Sequence, residues 1–276
     1  MTYLTPQQLE KYQQDGYLII DTEPDHTLLN NITHDLTEVW GNKEITSIPV
    51  AQDNRIQGGW KISDNVYQLA VHKPVLNALE QLYQSKPLPF QTLNFRRGTQ
   101  QMVHSDSLHF NSEPFGMMCG VWFALEDIGI DQGPLVFYPG SQQWPEMNFP
   151  DMKLKIGDFQ SYRHYIKDLV AEKQLEPAYG VMKKGQALIW QANLLHGGLE
   201  QHDKSLSRHS QVTHFYFENC RYWRPSLSKT ERHYFKPDWI PLTNEVTESE
   251  AQPTKNNHQA SKSSFKGYIK GLFSSK

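Results

Sequence analysis

The first apolar positions of the chain change from a helical spacing to a short unbroken run. Residues 5–14 begin with a Thr-Pro pair, which suits an N-cap followed by the first residue of a helix, and Leu9 and Tyr12 lie at helical spacing. The apolar run over residues 16–20 is typical of a strand. The pattern predicts a short helix followed by a strand that enters a sheet from its edge.

A longer helical pattern covers residues 65–84, where Pro74 marks a helix start. Its apolar positions share one helical face: Leu76, Leu79, Leu82 and Tyr83. A helix with one apolar face packs that face against another layer of structure. We therefore expect this helix to cover a sheet.

From residue 90 onward, short apolar segments are separated by Gly, Pro, Asn and Asp. This texture is typical of an antiparallel sandwich or barrel. The expected strands lie near residues 91–96, 101–106, 117–126, 134–138, 187–191 and 211–218. The predicted fold is mainly β with flanking helices, and a jelly roll accommodates this set of strands.

A long insertion lies between Ser141 and Gly180. Its segment YRHYIKDLVAEKQ has a helical pattern. Long ordered loops often carry function. We expect this insertion to form a lid or a wall of a substrate site.

The C-terminal part of the chain differs from the rest in composition. Residues 1–240 have the pattern of one folded domain, whereas residues 241–264 are polar and nearly free of aromatics, which predicts a disordered linker. Residues 265–276 place apolar side chains at helical intervals among lysines, which is a basic amphipathic pattern. This segment would contact a membrane surface or a partner protein, or it would be a frayed terminus.

Composition narrows the classes of function. Of the 276 residues, 38% are hydrophobic and 12% aromatic, which suits a globular protein. No apolar stretch approaches the length of a membrane span and no leader is evident, so we expect a cytoplasmic protein whose one membrane contact would be peripheral. A net charge of -3 gives no basic field for nucleic acid, which leaves a small molecule as the expected partner. Cys119 and Cys220 lie in apolar segments and are expected to be buried thiols.

The strongest local motif is the triplet His104-Ser105-Asp106. On a strand, residues two apart project to the same face, so the triplet would bring an imidazole and a carboxylate together. His196 ends a second apolar segment, ALIWQANLLHGG, whose two glycines allow a sharp turn. Two histidines and one carboxylate form a facial triad, which suits iron(II) and leaves positions free for a chelating cosubstrate and dioxygen. The sequence thus predicts a metal site of His104, Asp106 and His196.

Arg208 follows His196 by twelve residues, after a hairpin-like segment. Its guanidinium would form a two-pronged ion pair with the far carboxylate of a dicarboxylate cosubstrate. Ser210 would share a strand face with Arg208 and add a hydroxyl contact. Each motif alone is common in proteins, and the order and spacing of the four together carry the prediction.

Four segments of the chain resemble the phytanoyl-CoA dioxygenase family of iron(II)- and 2-oxoglutarate-dependent oxygenases. They are DGYLIID, PFQTLNFRRGTQQMVHSDSLHF, GVWFALEDIGIDQGPLVFYPGSQQWP and GQALIWQANLLHGG, with Arg208 downstream. The resemblance runs from about residue 4 to residue 220. It implies a cupin-like double-stranded β-helix, with His104, Asp106 and His196 as iron ligands and Arg208 as the anchor of 2-oxoglutarate. It also implies that Trp122 lines the cosubstrate pocket.

Two departures from the family pattern are visible. The strand before the distal histidine often begins Gly-Asp in such proteins, whereas here it begins Gly185-Gln186. The position two residues after the distal histidine, where a hydroxyl contacts the cosubstrate in some relatives, is Gly198. The resemblance does not cover residues 241–276.

Further residues are candidates for the same pocket. Asn94 lies on the strand before the triplet, in the inward phase of QTLNF, so we expect it in the cosubstrate site. For each of the other candidates, surface charge or core filling is the alternative role. Those residues are Arg55, Trp60, Arg96, Arg97, His109 and Phe110.

Three classes of function fit these residues. The first is an oxygenase that hydroxylates a C–H bond of a small organic substrate while 2-oxoglutarate is decarboxylated to succinate and carbon dioxide. Asp106 supplies the carboxylate ligand and vacates no position for halide, so hydroxylation is favoured over halogenation. The second class is a cupin-type hydrolase or isomerase that uses the same ligands with zinc or manganese, and the third is a jelly-roll binding protein. Arg208 discriminates best, because a hydrolase needs no buried cation directed at a dicarboxylate. A binding protein has no need for His104 and Asp106 to face His196.

Overall fold

The computed structural model describes residues 4–40, 50–52 and 54–242. Thr5 caps the first helix: its hydroxyl accepts from the backbone N–H of Gln8, and the Gln8 side chain accepts from the backbone N–H of Thr5. Gly16 ends this helix with a φ of 80°, which a residue without Cβ adopts at little cost. The described helices are α1 (Pro6–Asp15), α2 (His26–Asp35), α3 (Asp64–Ala70), α4 (Lys73–Tyr83) and α5 (Phe159–Glu172).

The described chain also contains twelve strands, most of them short. The first four strands are β1 (Tyr17–Asp21), β2 (Val50–Gln52), β3 (Arg55–Gln57) and β4 (Pro87–Phe95). The middle of the chain contributes β5 (Asn111–Glu113), β6 (Met118–Ala124), β7 (Leu135–Phe137) and β8 (Ala178–Tyr179). The final group is β9 (Gln186–Gln191), β10 (His196–Gly198), β11 (Ser210–Phe217) and β12 (Arg221–Trp223).

The main sheet has seven antiparallel strands in the order β1-β9-β6-β11-β4-β3-β2. A smaller sheet has the order β10-β7-β8, and a two-stranded sheet pairs β12 with β5. Strands that are distant in the chain lie side by side in the main sheet, which is the arrangement of a jelly roll. The expected mainly β, cupin-like fold is confirmed.

The two faces of the main sheet have different partners. On one face, helices α1 to α4 pack on alternate strand residues such as Val121 and Ile189 to form the largest apolar core. On the other face, Trp122 and Leu188 pack with Phe137 of the smaller sheet. This second face, between the two sheets, is where a cavity opens.

Several sequence predictions of single elements are confirmed: α1, β1, the helical segment in the insertion, and strands at β4, β6, β7, β9 and β11. The single helix expected over residues 65–84 is wrong, because the helical spacing breaks at Val71 and His72 and α4 restarts at Lys73 with Pro74 in its first turn. The strand expected over residues 101–106 is also wrong. Only an isolated bridge at His104 pairs there, and Asp106 begins a short 3₁₀ turn.

Across the described ranges, no helix combines the length and the apolar content needed to cross a membrane. The description ends at residue 242. The predicted linker over 241–264 and the amphipathic segment over 265–276 therefore lie almost entirely outside the described residues, and both stay predictions.

Candidate metal centre

His104 and His196 meet through their backbones before their side chains are considered. Each backbone N–H donates to the carbonyl of the other residue at 2.9 Å, which forms an isolated antiparallel bridge at the start of β10. This pairing places the two imidazole rings 4.5 Å apart between centroids. The chain then turns, so that Asp106 enters the same space from the start of its 3₁₀ turn rather than from a strand.

The three side chains offer metal-ligand atoms that all lie within 4.8 Å of one another. Asp106 Oδ1 lies 3.5 Å from His104 Nε2, and Asp106 Oδ2 lies 3.7 Å from His196 Nε2. All three side chains are buried. The structure thus brings together the three residues that the sequence predicted, as two imidazole nitrogens and one carboxylate around a common point.

Backbone carbonyls fix the orientation of both imidazoles. His104 Nδ1 lies 3.0 Å from the carbonyl oxygen of Met102, and His196 Nδ1 lies 3.0 Å from that of Leu194. A carbonyl only accepts, so each Nδ1 carries the proton and donates. Each Nε2 is then left with its lone pair, which is the form in which histidine binds a metal.

The protonation states around Asp106 also suit a cation. Burial alone would raise the pKa of Asp106, but His196, His104 and His214 outweigh it and hold that pKa well below its usual range. Burial lowers the pKa of His196 to about 4. At neutral pH the cluster therefore contains a carboxylate and a neutral distal imidazole, as metal binding requires.

Two further side chains contact the Asp106 carboxylate, and the sequence analysis missed both. Trp190 Nε1 donates to Asp106 Oδ2 at 2.9 Å, and His214 Nε2 lies 3.7 Å from the same oxygen. The indole reaches across β6 at Gly120, where an added Cβ would lie 2.1 Å from Trp190 Cζ2. Oδ2 is thus engaged by protein groups, whereas Oδ1 faces His104.

Ser105, between the two predicted ligands, fastens their loop to the rest of the protein. Its hydroxyl donates to the Asn193 side chain at 3.2 Å, and its backbone N–H donates to the Tyr162 hydroxyl at 2.9 Å. Tyr162 belongs to α5 in the long insertion. The insertion was expected to be a lid or a substrate wall, but among the described residues it contributes none to the lining of the cavity at the metal site. Instead it supports the loop that carries the ligands.

Arg208 lies in the same cavity, just before β11 rather than on it. It is 1% exposed and its guanidinium donates to the carbonyls of Gly133 at 3.0 Å and Arg97 at 3.3 Å. The guanidinium carbon lies 5.4 Å from the centre of the Trp122 ring. Burial lowers the pKa of Arg208 to about 10, so the side chain remains a cation at neutral pH.

The other predicted pocket residues fall into two groups. Ser210 faces the cavity side of β11, but its hydroxyl is directed back to the Arg208 carbonyl at 3.5 Å and it is not part of the cavity lining. For Asn94, the expected inward phase was wrong: it lies on the helical face of β4, where its amide donates to Gln211 at 3.1 Å. The cavity face of β4 carries Leu93 and Phe95 instead.

The cavity is lined by residues of both sheets and of the loops between them. Arg55, His109 and Phe110 line it as expected, whereas Trp60, Arg96 and Arg97 do not. The lining residues are Arg55, Gln57, Gln91, Leu93, Phe95, Thr99, Gln101, His104, Asp106, His109, Phe110, Trp122, Leu135, Trp190, His196, Gly197, Arg208, Val212, His214 and Arg224.

A family model gives the chain its classification. The model for phytanoyl-CoA dioxygenase matches residues 2–210, which include the triplet at residues 104–106, His196 and Arg208. The chain belongs to the phytanoyl-CoA dioxygenase family. The match covers most of the chain, and it ends where β11 begins.

Curated members of this family match at low identity. Phytanoyl-CoA dioxygenase domain-containing protein 1 of Mus musculus is 30% identical over 34% of this chain and 34% of its own length. The protein of the same name from Danio rerio is 26% identical over 70% of this chain and 68% of its own length. The matched region thus spans about a third of the first relative and two thirds of the second.

Solved structures with similar folds include non-heme, α-ketoglutarate-dependent enzymes. The carbocyclase SnoK from nogalamycin biosynthesis has a TM-score of 0.63 at 16% identity, covering 80% of this chain and 88% of its own. The epimerase SnoN, in complex with Fe3+, α-ketoglutarate and nogalamycin RO, has a TM-score of 0.65 at 16% identity, covering 85% and 98%. EctD from S. alaskensis, with 2-oxoglutarate and 5-hydroxyectoine, has a TM-score of 0.64 at 14% identity, covering 84% and 82%. These likenesses support the fold of this family member.

Proposed function

We propose that this protein is an iron(II)- and 2-oxoglutarate-dependent oxygenase that hydroxylates a C–H bond of a small organic substrate. The observation that carries the proposal is a single cavity that holds the cluster of His104, Asp106 and His196 together with the buried cation Arg208. The donor set is the one that leaves one side of an octahedral iron open. Bound metal, cosubstrate and dioxygen would supply the oxidising chemistry, with succinate and carbon dioxide as coproducts.

Arg208 would hold the far carboxylate of 2-oxoglutarate. Its burial makes an ion pair stronger than one in water, and its remaining donors after the Gly133 and Arg97 contacts match a carboxylate. Trp122 and Phe95 flank the guanidinium and exclude water from that end of the cavity.

The presence of a carboxylate ligand, Asp106, favours hydroxylation over halogenation. It supplies the carboxylate ligand, so the protein fills all three positions of the triad and vacates none for a halide. The structural neighbours include an epimerase and a carbocyclase, so the reaction is proposed on the ligand set and not on the fold. A cupin-type hydrolase remains a weaker candidate, because Arg208 would have no role in it.

The test is an anaerobic titration of the metal-free protein with iron(II) and 2-oxoglutarate. We expect a visible charge-transfer band from the chelated cosubstrate. Asp106→Ala should abolish the band by removing a ligand, and Arg208→Ala should raise the 2-oxoglutarate concentration at half-saturation by about tenfold or more, as expected for loss of a charge-assisted contact.

Two exposed positions provide matched controls. Asp127→Ala removes a surface carboxylate that pairs with Lys183, and Arg221→Ala removes an exposed guanidinium outside the cavity. Both should leave the band unchanged. A folded wild-type protein that forms no band with iron(II) and 2-oxoglutarate would rule out the proposed function.

A further inference from the structure

Residues before and along β11 line the cavity, and the course of this strand sets an order for them. Arg208 lines the cavity just before the strand begins, and Val212 and then His214 line it along the strand. At about 3.3 Å per residue in extended chain, Arg208 and His214 are separated by roughly 20 Å of backbone. His214 Nε2 lies 3.7 Å from Asp106 Oδ2, so the metal cluster lies towards the His214 end. The space for the cosubstrate is therefore between Arg208 and the cluster.

Beyond the cluster, the wall of the cavity continues to a second cation. The ring of His214 lies 5.7 Å from the ring of Phe110, and the guanidinium carbon of Arg224 lies 5.5 Å from that same ring. The same guanidinium carbon lies 4.2 Å from the centre of the Phe235 ring. Arg224 is half-buried and lines the cavity. It is thus on the opposite side of the cluster from Arg208.

The charges of the lining favour an anion at this second end. Among the described residues, three arginines line the cavity, and the one acidic residue in the lining is Asp106, which belongs to the metal cluster. His109 also lines the cavity and is 3% exposed, so it adds a buried polar ring to the wall. A cation in a partly dry recess with aromatic walls suits an anionic head joined to an apolar body.

We propose that Arg224 is the specificity residue for the substrate: it binds an anionic group, a carboxylate or a phosphate ester, of an otherwise apolar molecule. The apolar part of that molecule lies against Phe110 and reaches towards the cluster, so the oxidised carbon is several bonds from the anionic group. This inference rests on the proposed function, and it adds the class of substrate.

The experiment uses the full chain loaded with iron(II) and 2-oxoglutarate under anaerobic conditions. Butanoate, octanoate, dodecanoate and octyl phosphate are titrated in, each carboxylate beside its primary amide, and the shift of the charge-transfer band reports binding next to the metal. We expect at least one anion to shift the band at a concentration about tenfold or more below that of its neutral counterpart, the size of effect that a charge-assisted contact gives.

Variants locate the effect. Arg224→Gln should remove the preference for the anion and leave the half-saturating concentration of 2-oxoglutarate unchanged, because the cosubstrate lies at the Arg208 end. Arg224→Lys should restore part of the preference, since it keeps the charge and loses the planar fork. The matched control is Arg221→Gln, an exposed arginine three residues away that lies over Tyr234 and does not line the cavity. It should behave as the wild type.

The outcomes separate this inference from the proposed function. A band that forms normally while acids and amides shift it equally, or while no anion shifts it, overturns the role of Arg224 and leaves the oxygenase intact. If the Arg224→Gln variant keeps the preference for the anion, the role of Arg224 is likewise overturned and the oxygenase function is unaffected. A wild-type protein that forms no band overturns both.

Discussion

At the scale of single residues, the Asp106 carboxylate is the most heavily supported group of the metal centre. Trp190 donates to Oδ2 at 2.9 Å, and Oδ1 lies on the His104 side. A ligand held in this way binds a metal through one oxygen in a fixed direction. Trp190 is a positioning residue, because its contact is with the ligand.

We expect Trp190→Phe to weaken iron(II) binding by about 10- to 100-fold, the usual effect of removing a group that orients a ligand. The phenyl ring keeps most of the packing and removes only the N–H donor. Iron(II) affinity is measured from the charge-transfer band at saturating 2-oxoglutarate. Trp60→Phe, in the helical layer, is the control. Equal iron affinity in wild type and Trp190→Phe would show that the indole does not orient the ligand.

The sequence predicted which residues meet at the centre but not how. Alternation along a strand was the argument for His104 and Asp106, yet Asp106 lies on a 3₁₀ turn. The actual cause is the backbone bridge between His104 and His196, a long-range pairing that no local pattern reveals. His214 had a signal: once Ser210 was taken to face inward, alternation placed His214 on the same face. Asn94 was misplaced because the phase of a strand buried on both faces is ambiguous.

At the scale of elements, β6 depends on a residue without a side chain. Gly120 is opposite Trp190 on β9 and opposite His214 on β11. The Trp190 ring fills the space over Gly120. A methyl group there would displace the indole, and with it the donor to Asp106.

We expect Gly120→Ala to destabilise the protein by about 1–3 kcal/mol, as overpacked core positions do, and also to weaken iron(II) binding. Urea unfolding of the metal-free protein measures the first effect and the charge-transfer band the second. Gly129→Ala is the control, since the atom nearest to a new Cβ there is the Gln132 side-chain oxygen, at an ordinary contact distance of 3.6 Å. Loss of stability with normal iron affinity would uncouple the strand from the metal centre.

The junction between α3 and α4 gives the fold a dependence on pH. His72 Nε2 lies 3.0 Å from the Thr22 carbonyl, and burial lowers the pKa of His72 although this hydrogen bond opposes the shift. Below about pH 6.5 the unfolded chain takes up a proton that the folded protein does not, so the stabilisation is complete above that pH and declines as the pH falls towards the lowered pKa.

We therefore expect the free energy of unfolding of His72→Gln to fall less steeply than that of the wild type as the pH is lowered from about 6.5. Glutamine retains an N–H for Thr22 and does not titrate. Urea unfolding of metal-free protein at a series of pH values is the measurement, with the exposed His34→Gln as the control. Parallel pH profiles for wild type and His72→Gln would contradict the assignment.

Elements with a long, strong pattern were predictable and short ones were not. The periodic apolar face over residues 65–84 crosses the break at His72 because α3 and α4 pack on the same core, so two helices resembled one. Strands of three residues, such as β3 and β10, are too short to show alternation. Their positions follow from pairing with distant strands, which is a property of the folded chain.

At the scale of the whole molecule, the jelly roll was predictable from the texture of the chain and the strand order was not. Short apolar segments separated by turn residues give the class of fold. The order β1-β9-β6-β11-β4 joins segments far apart in sequence. Residues 265–276 lie outside the described ranges. Their proposed contact with a membrane surface is tested by comparing the full chain with a shortened version.

We expect the full chain to float with liposomes that contain anionic lipid more than a version ending at residue 250, because the lysine-flanked apolar spacing of the last residues suits a charged interface. Recovery of both proteins in the top fraction of a density gradient is compared, with neutral liposomes as the control. Equal recovery of the two versions would remove the membrane role of the segment.

Strand β11 has neighbours on both edges, β4 and β6, and the two ends of the cavity are arranged along it. A slip of this strand by one residue would turn Val212 and His214 to the helical layer at the same time. Attempts to alter which molecules this protein accepts should therefore leave β11 intact and vary the segment after β12, where Arg224 is attached to the rim rather than to the central ladder.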